Sequence, residues 1–119
     1  MKLIPQEVEL WYVYPSLRKE MANLMVKGHG LKQKEVAEKL GVTKAAISHY
    51  VNEKRSKKKI FDKNFEIKIE KSVKKIIEDD VDSAKEIQYL LSSIRKNKTL
   101  CDIHRMFDDN VPKKCDICY

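Results

Sequence analysis

The stretch from residue 33 to residue 52 constrains this chain more than any other part of it. It reads Gln-Lys-Glu-Val-Ala-Glu-Lys-Leu-Gly-Val-Thr-Lys-Ala-Ala-Ile-Ser-His-Tyr-Val-Asn. With Gln33 counted first, the small residue Ala37 falls fifth, where two crossing helices come close and a larger side chain would hold them apart. Gly41 falls ninth, where the connecting turn needs a positive φ that glycine adopts without steric cost. Val36, Leu40, Val42, Ile47 and Tyr50 are spaced to face inward, as two short helices sharing one core require. Thr43 follows the turn as an N-cap for the second helix, 43–52. These demands together describe a helix-turn-helix. An ordinary helical hairpin is the alternative, against a match that runs over most of the twenty positions.

Such a unit implies binding to duplex DNA. Its second helix lies in the major groove with its N-terminal part toward the base edges, while the first helix crosses the backbone. The outward positions of the second helix are Thr43, Lys44, Ala45, Ser48, His49 and Asn52. A lysine can donate to guanine O6/N7, a serine can bond either partner, and an alanine methyl suits the thymine methyl group. Gln33 and Lys34, at the start of the first helix, point toward phosphate with the free backbone N–H groups there. Any one of these residues, His49 and Asn52 above all, could instead be a solvated surface side chain; the face as a whole points to DNA.

Charge follows the same division. Residues 1–59 hold 13 Lys/Arg against 6 Asp/Glu, and residues 60–119 hold 12 against 12, so the first half carries the whole net charge of +7. The run Lys54-Arg55-Ser56-Lys57-Lys58-Lys59 follows the second helix, where it can reach phosphates and release counterions. A solvated basic linker is the other reading, and the two are compatible.

With 119 residues there is room for one small core or two very small ones. Only 3 Gly and 3 Pro occur and apolar spacings are mostly three or four, so the expected class is all-α. No apolar run approaches a membrane-spanning length, and the start lacks a signal-peptide core, so a soluble, cytoplasmic protein with no membrane partner is expected. Three cysteines, an odd number in a reducing compartment, argue against a disulfide framework.

Pro5 and Pro15 both read as first-turn prolines. The first would start a short helix presenting Val8, Trp11 and Tyr12. The second would open a separate helix over 15–27, with Leu17, Met21, Leu24 and Met25 on one face, ended by Gly28-His29-Gly30. His29 is expected to be a loop residue without chemistry, and Trp11 and the tyrosines to serve core or dimer packing. Residues 1–59 resemble the archaeal branch of the Cro- and lambda-repressor-like (XRE) regulators. The resemblance rests on Ile4-Pro5-x-Glu7, Tyr14-Pro15-x-Leu17-Arg18, Leu31 to Ala37, Leu40-Gly41-Val42-Thr43 and Ser48-His49-Tyr50. It implies a lambda-repressor-like domain acting as a transcriptional regulator, either autonomous or joined to a metabolite-sensing domain. No such sensing domain is evident here, so any sensing is expected from the last sixty residues.

Those residues read as a helical hairpin. Phe61, Phe65, Ile69, Val73, Ile76 and Ile77 fall at helical spacing, Asp79-Asp80-Val81-Asp82 breaks the pattern, and Ser83-Ala84-Lys85-Glu86 reads as a capping box. Ile87, Leu90, Leu91 and Ile94 then line a second helix. Two coverings are open for these stripes: the N-terminal half, or the same stripes of a second copy. A two-fold homodimer on a pseudo-palindromic site favours the second.

The tail carries another signal: Cys101-x2-His104, ten residues, then Cys115-x2-Cys118, using all three cysteines. Ligands spaced this way let one tight turn present two donors, and two turns complete a tetrahedral shell of three sulfurs and one nitrogen. Metal binding would supply folding energy to a segment, 100–119, that is too short to bury a core. Buried free thiols beside an incidental histidine are the alternative; Cys–His catalysis lacks a pocket-forming domain. One metal centre is expected, zinc ion favoured over an iron–sulfur cluster. Cysteine thiolates hold both and one histidine is compatible with both, and members of the group the chain resembles often carry a cysteine-rich tail ending like this one.

The expected organisation is therefore all-α: a helix-turn-helix DNA-binding domain at 1–59, and a helical dimerisation or sensor region at 60–119 ending in a Cys/His knuckle. The expected function is sequence-specific regulation of transcription on double-stranded DNA, with no enzyme activity and no small-molecule substrate identified. The alternatives are an iron–sulfur regulator responsive to redox, iron or sulfur, and a protein-interaction module with a zinc knuckle.

Overall fold

Pro5 opens the first helical run as its N1 residue, where a missing N–H removes no helical bond. Glu7 Oε1 accepts the Ile4 N–H at 3.0 Å and closes the N-terminus. The computed structural model describes residues 3–53, 60–96 and 99–107, with Thr99 and Phe107 as backbone. In chain order, α1 is Pro5–Val8, a π-helical turn spans Glu9–Val13, α2 is Tyr14–Asn23, and a second π-helical turn spans Leu24–Gly28. Next come α3 at Gln33–Leu40, α4 at Lys44–Asn52, α5 at Lys63–Glu78, α6 at Ser83–Lys96 and α7 at Thr99–Phe107. No strand occurs among the described residues.

The two separate helices expected at Pro5 and Pro15 are one continuous helical run. A π turn is the reason. Tyr14 donates its N–H to the Glu9 carbonyl, five residues back, so the turn before Pro15 is wide and the proline ring fits without breaking the helix. The run ends where Gly30 adopts φ 68° and the Leu31 N–H returns to the Met25 carbonyl at 3.0 Å. His29 lies exposed in this turn. Trp11 departs from the core expectation, being 53% exposed, while Val8, Val13, Leu17, Met21 and Met25 are fully buried.

The two C-terminal stripes are covered within the chain. Phe65, Ile69, Val73 and Ile76 of α5 are buried where the helix packs on α2 and α6. Ile87, Leu90 and Ile94 of α6 are buried against α5, α3 and α7. One apolar cluster runs from Val8 to Ile103, so most of both stripes is covered within the chain, while Ile77 and Leu91 are half-buried at its margin. Full burial of an aliphatic or aromatic side chain of this size contributes about 1.5–3 kcal/mol, and helices of the same chain supply the cover first.

Helix α6 begins one residue earlier in its capping than expected. Asp82 takes the Ala84 N–H on its carboxylate at 2.9 Å, and its carbonyl takes the Glu86 N–H at 3.3 Å, so Asp82 rather than Ser83 is the cap. Helix α7 is the larger surprise. Leu100, Cys101, Ile103 and His104 are buried against α1 and α6, so this part of the tail adds to an existing core. Among the described residues no helix is long and apolar enough to cross a membrane.

Candidate nucleic-acid interface

Helices α3 and α4 meet through a turn whose geometry each residue type dictates. Gly41 ends α3 at φ 68° and ψ 34°, the left-handed region, and the Val42 N–H closes the turn on the Ala37 carbonyl at 3.0 Å. Thr43 then caps α4: its Oγ1 accepts the Ala46 N–H at 3.1 Å. Val36, Ala37, Leu40 and Ile47 are buried, while Val42 and Tyr50 are half-buried. Val51, not singled out from the sequence, is buried as well.

This packing turns one side of α4 outward. Thr43, Lys44, Ala45, His49 and Asn52 are exposed and Ser48 is half-buried. At the start of α3, Lys34 is exposed and Gln33 half-buried, and no side chain caps the helix. The described part of the expected DNA face is therefore assembled on one helix and the start of another. Lys54, Arg55, Lys57 and Lys58 lie outside the described residues.

Some face residues engage each other. Asn52 Nδ2 donates to Ser48 Oγ at 3.2 Å, one helical turn away. His49 Nε2 lies 3.8 Å from Glu53 Oε2, and Lys19 Nζ reaches the same oxygen from α2 at 3.1 Å. The His49–Glu53 spacing of four residues was legible as a helical pair; Lys19, far away in sequence, carried no signal.

Helix α2 grips α4 at Tyr50. Asn23 Nδ2 donates to the Lys19 carbonyl at 2.9 Å and to the Tyr50 carbonyl at 3.3 Å. Arg18 donates to the Tyr14 hydroxyl and stacks its guanidinium 4.2 Å from the Tyr14 ring centre. Burial works against its charge, yet the neighbouring Tyr14 and Tyr50 side chains hold its pKa above the ordinary arginine value.

The expected metal ligands are only partly in view. Cys101 and His104 are both buried on α7, three residues apart and so on one face of a helix, not in the tight turn expected. The His104 ring shares a hydrogen bond through Nε2 with the Leu3 carbonyl at 2.6 Å. Cys115 and Cys118 lie outside the described residues. Among the described residues no three His, Cys, Asp or Glu side chains converge as a metal site.

Searches of curated proteins and of solved structures return no match. A protein-family comparison does, over the segment that holds the turn, Gly41 and both flanking helices: residues 24–59 of this chain match a helix-turn-helix domain model.

Proposed function

We propose that this chain is a sequence-specific DNA-binding regulator of transcription in which α4 reads the major groove. The observation that carries this reading is the outward face of Thr43, Lys44, Ala45, Ser48, His49 and Asn52 above a turn held by Gly41 and Thr43. Lys44 is the candidate donor to guanine, and the Ser48–Asn52 pair presents a joint polar edge to a base. Gln33, Lys34 and the uncapped N–H groups of α3 hold the backbone, joined by Lys54, Arg55, Lys57 and Lys58. Selection of duplexes from a random-sequence pool, followed by hydroxyl-radical footprinting, tests it: one enriched sequence with protected backbone flanking a major groove is expected.

A homodimer on a pseudo-palindromic operator belongs to the same proposal, because one helix-turn-helix covers only one half-site. Most of the α5 and α6 stripes is buried inside the chain, with Ile77 and Leu91 half-buried, so such a dimer would need further surface. A non-DNA interaction module is the competing reading, and failure to enrich any duplex would favour it.

A single metal centre at Cys101, His104, Cys115 and Cys118 is a second proposal, zinc favoured over an iron–sulfur cluster. It is supported by the shared face of Cys101 and His104 and by the carbonyl engaging one nitrogen of the His104 ring, a support that metal-bound histidines commonly have. Zinc would tie the tail onto α7, whereas a cluster would add redox, iron or sulfur response. Metal analysis of anaerobically purified protein, with its visible spectrum, distinguishes them.

A further inference from the structure

Helix α4 stops at Asn52, where Glu53 turns extended with φ −71° and ψ 133°. The last turn of a helix ends in carbonyls short of helical N–H donors. In that turn the Tyr50 carbonyl accepts from another helix: Asn23 Nδ2 of α2 lies 3.3 Å away. The same amide lies 2.9 Å from the Lys19 carbonyl, one turn back in α2. Both partners are acceptors, so the amide faces them with its NH2 group and uses both donors there.

A second contact joins the same two places. Lys19 Nζ lies 3.1 Å from Glu53 Oε2, just past the end of α4. Lys19 and Asn23 are four residues apart and share one face of α2, while their targets, Tyr50 and Glu53, bracket Asn52. Asparagine is an indifferent helix former whose amide competes with backbone bonds. A leucine of similar volume would suit a continuous helical run better, so α2 by itself gives no reason for an asparagine at 23. The end of α4 gives one. Asn52, bonded to Ser48 at 3.2 Å, is the last residue of the outward face, and helix ends fray unless they are held. An end held beforehand loses less freedom on binding.

We propose that Asn23, seconded by Lys19, is a positioning residue for DNA recognition: it fixes the end of α4, and so the base contact of Ser48 and Asn52, through the Tyr50 carbonyl. The contact of Lys44, at the opposite end of α4, is independent of it. The proposal rests on the DNA-binding reading above.

The test measures the full-length chain and its Asn23→Leu, Lys19→Met, Asn52→Ala and Lys44→Ala variants by fluorescence anisotropy, on the enriched duplex and on its single-base variants. Asn52→Ala and Lys44→Ala identify the base pair read by each end of α4. Asn23→Leu is expected to lose about tenfold in preference at the Asn52 base pair and less than about twofold at the Lys44 base pair. Lys19→Met should show a smaller loss at the same base pair. An asparagine that served only the packing of the domain would weaken both base pairs alike. In protein without DNA, amide hydrogen exchange of residues 51–53 should quicken in Asn23→Leu, and that of residues 46–48 should not. Retained preference at the Asn52 base pair, or equal loss at both, overturns the proposal, as does an Asn52→Ala protein that relaxes no base pair. Should Asn23→Leu fail to fold, Lys19→Met decides by the same two outcomes. If the parent chain enriches no duplex, the DNA reading fails by itself; unchanged exchange over 51–53 then overturns the positioning claim, and quickened exchange retains it.

Discussion

His104 Nε2 lies 2.6 Å from the carbonyl oxygen of Leu3, joining α7 to the start of the chain across 101 residues of sequence. His104 is 1% exposed and Leu3 half-buried. His104→Ala removes this hydrogen bond and the volume of a buried ring. It is expected to lower unfolding free energy by about 2–4 kcal/mol, read from urea titration at fixed metal content. A loss below about 0.5 kcal/mol in both metal-loaded and chelated protein would show that α7 is not docked as described.

Gly41→Ala isolates the cost of the turn. A Cβ at this position meets nothing within 4 Å, so the penalty is the left-handed backbone alone. Thermal unfolding should show a loss of about 1–2 kcal/mol, and Gly41→Asn a smaller one. Equal stability of all three proteins would contradict the positive φ.

Metal binding is tested by Cys115→Ser. Thiolates must lose a proton to ligate, so metal uptake by the parent chain should acidify a weakly buffered solution. The variant should lose most of its zinc or iron, while the amide spectrum of residues 24–53 stays as in the parent. Parent protein prepared anaerobically with neither zinc nor iron near one centre per chain removes the proposal.

Legibility from sequence followed how local the determining interaction is. Gly41, Thr43 and the outward face of α4 were readable because turn, cap and face are set within a few residues of each other. Pro15 misled, since a proline at a helix start and one after a π turn leave the same local trace, and only the Tyr14-to-Glu9 bond separates them. Ser83 misled by one position because Asp82 can cap equally well. The α5 and α6 stripes announced that they would be covered but not by what, and Cys101-x2-His104 fits a helical face as well as a tight turn. The contacts of Lys19 and Asn23 with α4 and its end join residues distant in sequence, 27 apart for Asn23 and Tyr50, and leave no pattern to read.

Salt dependence separates backbone binding from base reading. Replacing Lys57 and Lys58 by alanine should weaken enriched and random duplexes alike. The slope of log affinity against log salt should flatten by about one for each phosphate no longer neutralised. A loss confined to the enriched duplex would assign these lysines to base reading instead.

Lys44 tests the central claim most directly, since it is exposed at the first turn of α4 and lies outside the packed core. The measurement is the affinity of parent and Lys44→Ala protein for the enriched duplex, for its single-base variants and for the random pool, at one salt concentration. The account predicts a loss of about 1–3 kcal/mol on the enriched duplex, a relaxed preference at one base pair, and much less change on the random pool. Equal losses on every duplex, with no base pair relaxed, would contradict reading of the major groove by α4.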